Sequence, residues 1–203
     1  MQIISGKYKN YKLPDVQSVT RPTTSMVKES IFSSLESIGA INNADVFDLF
    51  AGSGALGFEA ISRGARSVTF YDSSQKVTNL LKQITKKYDF DEPINIEKLD
   101  VYKKSAQQFQ TPPDQTIPNQ TSPAQTTPNQ TTLVFIDPPY EHSDDQILQL
   151  LNTYHQNINK ITFVIERNKK STLDKTYQTV LPNAELIKMK TYGDTKIFIL
   201  QYN

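Results

Sequence analysis

The sequence predicts an α/β fold: an open, mostly parallel seven-stranded sheet with helices on both faces, a C-terminal antiparallel hairpin and a small N-terminal β-hairpin extension. Three observations predict it. Strand-like runs recur at 46–50, 67–71, 94–99, 132–136 and 161–165, the first and fourth nearly all apolar, as strands buried on both faces would be. Segments of helical periodicity fall between most of them, at 55–63, 73–88 and 146–151. The pattern then changes, and two strand-like runs, 184–190 and 196–202, are joined by the short turn Tyr192-Gly-Asp-Thr195.

The 203 residues, 37% hydrophobic and 21% charged, suit one soluble domain with its own core. Cysteine is absent, which excludes disulfides, thiolate metal sites and a cysteine nucleophile. His142 and His155 make no zinc constellation, and no metal is expected. No apolar run approaches a membrane span, and the N-terminus lacks the apolar stretch of a signal peptide. The expectation is a cytoplasmic protein with no membrane partner. Net charge is only +1, but residues 1–30 carry Lys7, Lys9, Lys12, Arg21 and Lys28 against Asp15 and Glu29. A locally basic N-terminus suits a polyanionic partner, and equally an ordinary solvated surface.

From Gln2 to Leu13, apolar and aromatic residues alternate with lysine around Gly6, which reads as two short strands. Aromatics beside lysines can stack on bases and pair with phosphates. Arg21-Pro-Thr-Thr24 leads into a helix capped by Thr24 or Ser25, with Met26, Val27, Ile31, Phe32, Leu35 and Ile38 as its apolar stripe. The expected division is therefore an extension over 1–24 and a main domain over 25–203.

The first strand delivers Asp48, and Gly52, Gly54 and Gly57 follow as G-x-G-x-x-G, opening a helix. Backbone beside a cofactor calls for residues without Cβ, and glycine allows the tight strand-to-helix turn. The motif is weak alone, but the strand before and the helix after give it the required context. Asp72 ends the second strand 20 residues after Gly52, the spacing at which an acid reaches ribose hydroxyls. It can equally cap the helix that follows. Asp100 ends the third strand and can accept from an adenine amino group, or cap the next short turn.

Residues 110–131 repeat Pro-x-Gln-Thr every five residues. With almost nothing apolar to bury and prolines interrupting any helix, an extended or disordered surface insertion is expected.

The fourth strand delivers Asp137-Pro-Pro-Tyr140. An amino group on a base is a poor nucleophile, because its lone pair is delocalised into the ring. Acceptors on both of its protons favour a pyramidal nitrogen with the lone pair aimed outward. The Asp137 carboxylate and the Pro138 carbonyl can be those acceptors, and Tyr140 can stack on the ring. Beside a nucleotide-binding glycine loop, this points to methyl transfer to nitrogen. After Glu166 at the end of the fifth strand, the basic run Arg167, Lys169, Lys170 reads as solvated surface or as an RNA contact.

At these residues the chain resembles a known family. Ile4-Ser-Gly-Lys-Tyr-Lys9, Arg21-Pro-Thr-Thr24 before a Val-Lys-Glu helix, Asp48 to Gly57, Asp137 to Tyr140 and Tyr192 to Thr195 occur together and in order. The set is similar to the RsmD-type methyltransferases, which methylate a guanine N2 amino group in bacterial 16S rRNA with S-adenosylmethionine. The resemblance covers nearly the whole chain apart from 110–131. It implies a Rossmann-like methyltransferase fold, and 16S rRNA in an assembling or assembled small ribosomal subunit as partner. It also implies that Asp48, Gly52, Ser53, Gly54 and Gly57 hold the methionine end of the cofactor, with Asp72 on the ribose and Asp100 on the adenine. Asp137, Pro138 and Tyr140 would hold the guanine, and Lys7, Tyr8, Lys9, Lys12, Arg21 and Thr23 would bind RNA. Three features depart from the family pattern: Asn10-Tyr11 where it tends to Gly-Arg, Ser73-Ser74 after Asp72, and the repeat insertion.

Other readings remain open. Adenine N6 in DNA and a protein glutamine amide are alternative acceptors for the same loop. A dinucleotide-dependent oxidoreductase accounts for the glycines and Asp72 but leaves Asp137 to Tyr140 unexplained. A nucleic-acid-binding module without activity is a third.

Overall fold

The computed structural model describes residues 1–14, 25–103, 131–155 and 160–202. Arg21, Thr23 and the rest of the expected loop before the first helix lie outside the described residues, as does the repeat insertion up to residue 130.

Seven strands form one sheet: β1 (Asp45–Asp48), β2 (Ser67–Asp72), β3 (Ile94–Lys98), β4 (Thr132–Ile136), β5 (Ile161–Asn168), β6 (Glu185–Tyr192) and β7 (Thr195–Tyr202). Their spatial order is β3-β2-β1-β4-β5-β7-β6. The first five are parallel, and β7 runs antiparallel to both β5 and β6. From β1 the chain steps outward through β2 and β3, then returns to place β4 on the other side of β1. That reversal opens a crevice above the carboxyl ends of β1 and β4, where ligands of open α/β sheets bind.

Alternation along each strand divides the core into two layers. Val46, Phe135 and Val164 join Ile31, Phe32 and Phe58 on one face. Phe47, Val134, Ile136, Phe163 and Ile165 join Ile147 and Leu151 on the other. The helices that supply those partners are α1 (Ser25–Ser37), α2 (Ala55–Ser62), α3 (Gln75–Tyr88) and α4 (Asp144–His155), with a one-turn α5 (Leu173–Thr176). No helix among the described residues is long and apolar enough to cross a membrane.

Two expectations are corrected here. Met26 falls off the α1 stripe and is 75% exposed, whereas Lys28 is buried within it. Asp72 does not cap α3; Ser74 does, its side chain accepting the Val77 N–H.

The N-terminal segment pairs less than expected. A single antiparallel bridge joins Gln2 to Lys12, extended by Ile3 N–H to the Tyr11 carbonyl at 3.0 Å and Leu13 N–H to the Met1 carbonyl at 2.9 Å. Docking compensates. The Glu59 carboxylate of α2 accepts the Ile4 and Ser5 N–H groups at 2.8 and 3.0 Å. The Ser62 carbonyl, left over at the end of α2, accepts the Lys7 N–H at 2.8 Å. Lys28 Nζ reaches the same Glu59 at 3.3 Å, and Arg63 Nε reaches it at 2.9 Å. Every residue of α2 is consequently buried, between the sheet below and this segment above.

Candidate active site

A cleft of about 450 Å³ lies over the crevice, in the size range of small-molecule sites. Its walls come from the loops after β1, β2, β3 and β4, with Glu166 from β5 and Met1 from the N-terminal segment.

Asp48 closes β1 and is 2% exposed. Burial, followed by the charge of Asp72, pushes its pKa up to about 7, while the Gly57 and Phe50 N–H groups pull the other way. The Gly57 N–H sits 3.2 Å from Asp48 Oδ2, tying the strand end to the start of α2. Asp72 Oδ2 accepts the Gly52 N–H at 3.1 Å, and Oδ1 accepts the Ser74 N–H at 2.8 Å. Each oxygen keeps a further lone pair for a hydroxyl donor. Asp100 Oδ1 accepts the Tyr102 N–H at 3.2 Å, opening a 3-10 turn (Val101–Lys103). Asp48, Asp72 and Asp100 all line the cleft.

The three glycines divide by role. Gly52 (φ +51°) faces the cleft, where a Cβ would meet nothing closer than 3.9 Å. A Cβ on Gly54 (φ +74°) would lie 2.5 Å from Phe58, and one on Gly57 would lie 2.3 Å from Phe70. Gly54 and Gly57 therefore let α2 pack against its neighbours and do not line the cleft, whereas Ser53 does.

Across the crevice, Asp137, Pro138, Pro139 and Tyr140 form the opposite wall. Burial holds the Asp137 carboxyl well above the usual carboxylate range, and the charges of Glu166 and Asp48 add to this, opposed by Arg167. Tyr140 stands 41% exposed at the mouth, its hydroxyl 2.9 Å from Thr195 Oγ1. Two separate sequence motifs thus meet: Thr195, where the turn passes into β7, steadies Tyr140 through its hydroxyl.

Sequence reasoning missed several residues. Phe50, Tyr102 and His142 form an aromatic wall beside Asp100, with the Tyr102 and His142 rings 4.9 Å apart. Burial pushes the Tyr102 hydroxyl up to about 12. Glu166 lines the cleft at 6% exposure. Arg167 is buried as well, against the expectation of a solvated run, with Nε 3.1 Å from Asp144 and a hydrogen bond to the His142 carbonyl. Nothing in local composition marks the aromatic wall. Alternation along 161–167 would have assigned Glu166 and Arg167 to opposite buried faces.

The expected RNA contacts are spread differently from the cleft residues. Lys9 and Lys12 are exposed. Lys7 Nζ is held by Asp91 at 2.7 Å and Glu92 at 2.9 Å. Tyr8 is 5% exposed, its hydroxyl donating to Glu92 at 2.7 Å, so this ring packs inward.

The family model described as "Conserved hypothetical protein 95" matches residues 1–201. An uncharacterized methylase of Rickettsia prowazekii is 31% identical over 100% of this chain and 98% of its own length. "Ribosomal RNA small subunit methyltransferase D" of Haemophilus influenzae is 33% identical over 74% of this chain and 70% of its own. Among solved structures, a candidate methyltransferase of Escherichia coli covers 100% of this chain and 98% of its own, with TM-score 0.72 and 25% identity. Magnesium protoporphyrin IX methyltransferase from Synechocystis, solved with bound S-adenosylmethionine, covers 88% of this chain and 79% of its own. Its TM-score is 0.62 at 11% identity, a likeness of fold alone.

Proposed function

Since the chain belongs to the RsmD-type methyltransferase family, we propose that it methylates the N2 amino group of a guanine in small-subunit (16S) rRNA with S-adenosylmethionine, in an assembling or assembled subunit. The observation that carries the reading is the facing pair of walls. Asp48 and Asp72 end β1 and β2 and Asp100 follows β3 on one side, and Asp137 to Tyr140 stand beyond β4 on the other.

The residues present fit the cofactor. Asp72 has lone pairs free for ribose hydroxyls, Asp100 and the aromatic wall suit a flat base, and Asp48 suits the cationic amino-acid end. Bound there, S-adenosylmethionine supplies an electrophilic methyl on a sulfonium, whose leaving group is a neutral thioether.

The chain's own residues do the rest. Asp137 and the Pro138 carbonyl accept the two amino protons and turn the nitrogen lone pair toward the methyl. Tyr140, braced by Thr195, stacks on the base. With the methyl transferred, the amine would be cationic, and Asp137 or water would take one of its protons, leaving the neutral thioether as the other product. The raised proton affinity of Asp137 suits it to that step.

The test is transfer of labelled methyl to small-subunit rRNA and to partly assembled subunits lacking the modification, followed by digestion. N2-methylguanosine at one position is the expected product. Cofactor binding without rRNA labelling would overturn the substrate and turn attention to DNA adenine and protein glutamine.

A further inference from the structure

Three acids end neighbouring strands. Asp48 closes β1, Asp137 follows β4, and Glu166 lies near the end of β5. Strand parity puts all three on one face. Asp48 alternates with Val46, Asp137 with Phe135 and Glu166 with Val164, and those three apolar residues share one core layer. The β4–β5 register pairs Ile136 with Ile165, so Asp137 and Glu166 come next, one strand spacing apart at about 4.8 Å of backbone. Arg167 has the opposite parity and turns to Asp144 and His142 on the other face.

Both acids line the cleft, and Glu166 is 6% exposed. Two neighbouring acids repel each other. The charge of Glu166 is felt at Asp137, helping to hold that carboxyl above its ordinary range. Side by side on the cleft wall, the two carboxyls can accept from two adjacent donors of one ligand. Guanine has them: N1–H and the N2 amino group are neighbours on one edge. Adenine offers an acceptor at N1, which a carboxylate repels, because an ionised carboxylate only accepts.

We propose that Glu166 selects guanine: its carboxylate accepts the N1–H of the target base while Asp137 holds the adjacent N2 amino group. The assignment rests on the guanine-N2 reading above and adds the residue that makes it specific. Asp137 alone grips an amino group of any base; Glu166 reads the atom beside it.

The test exchanges both partners. Small-subunit RNA is assembled with guanine or 2-aminopurine at the modified position; 2-aminopurine keeps the amino group but has no N1–H. Wild-type enzyme should lose about tenfold or more in kcat/KM on 2-aminopurine, the loss expected when a charged acceptor faces an acceptor. Glu166→Gln can donate its amide N–H to that nitrogen. Its guanine-to-2-aminopurine ratio should fall at least tenfold below wild type, with S-adenosylmethionine affinity and melting temperature unchanged. Intrinsic reactivity of the two bases cancels in the ratio. Equal penalties in the two enzymes would overturn the role of Glu166. So would wild-type enzyme that takes 2-aminopurine as well as guanine, a result that needs no variant to fold. Wild-type enzyme that makes no N2-methylguanosine would instead sink the functional reading, and this inference with it.

Discussion

Lys28 Nζ lies 3.3 Å from Glu59 Oε2, with the two side chains 1% and 0% exposed. An ion pair with no water around it is costly to form and costlier to break. Burial pulls the Lys28 ammonium below its ordinary range, and Glu59 pushes back. Glu59→Leu would leave the buried Lys28 ammonium without its counter-charge, free the Ile4 and Ser5 N–H groups, and take one of the three carboxylates from Arg63. The expected cost is about 3–5 kcal/mol in urea unfolding, with new protease cleavage in the first dozen or so residues. A loss below about 1 kcal/mol would mean that the pair contributes nothing net.

Gly52 and Gly57 should separate binding from folding. A Cβ on Gly57 collides with Phe70, so Gly57→Ala should cost about 1–3 kcal/mol of stability and leave cofactor affinity nearly intact. Gly52→Ala meets no neighbour but strains a left-handed turn beside the cleft, and should weaken S-adenosylmethionine more than it lowers the melting temperature. Calorimetric titration beside thermal melts reads both, and matching behaviour of the two variants would refute the division.

Asp137→Ala should nearly abolish turnover while cofactor binding survives, because Asp137 stands across the crevice from Asp48 and Asp72. If both are lost together, the residue is structural.

Tyr140→Ala should weaken RNA engagement by about 1–3 kcal/mol if the ring stacks on the base. Tyr140→Phe keeps the ring and loses only the Thr195 bond, so most of the effect should return. Full activity in Tyr140→Ala would remove the stacking role.

Asp48 makes a pH prediction. Its folded pKa, about 7, exceeds the roughly 4 of an unfolded-chain aspartate, so the native state holds the proton more tightly. The stability this contributes is full below about pH 4 and is lost as pH rises through about 7. Asp48→Asn should flatten that part of the stability curve. A cation beside Asp48 favours the carboxylate instead, so S-adenosylmethionine affinity should rise between about pH 6 and 8 in wild type and not in Asp48→Asn. A wild-type affinity flat across that range would place the cofactor cation elsewhere.

The parallel strands, the C-terminal hairpin and the cleft-lining acids Asp48, Asp72, Asp100 and Asp137 were legible because each depends on local order: a buried run, then a polar residue where the strand ends. What local pattern cannot carry is partnership across the chain. Lys28 and Glu59 are 31 residues apart and Tyr140 and Thr195 are 55 apart, and only the folded register brings them together. The glycines show the same limit. Their spacing marked the turn, but which of them faces the cleft depended on Phe58 and Phe70. The contacts of Lys7 and Tyr8 with Glu92 were likewise not legible, because a lysine–tyrosine pair reads alike whatever acid or phosphate it meets.

The docking of the N-terminal segment has a consequence for protein engineering. A Cβ at Gly6 would stand 1.8 Å from the Ser62 carbonyl oxygen, and the neighbouring backbone is pinned by Glu59 and Ser62. The segment is therefore not an independent cassette for exchange with that of a relative. A functional chimera would have to carry the outer face of α2 and position 28 along with it. Swaps confined to the first dozen or so residues should lower the melting temperature, because they break the contacts to Glu59 and Ser62.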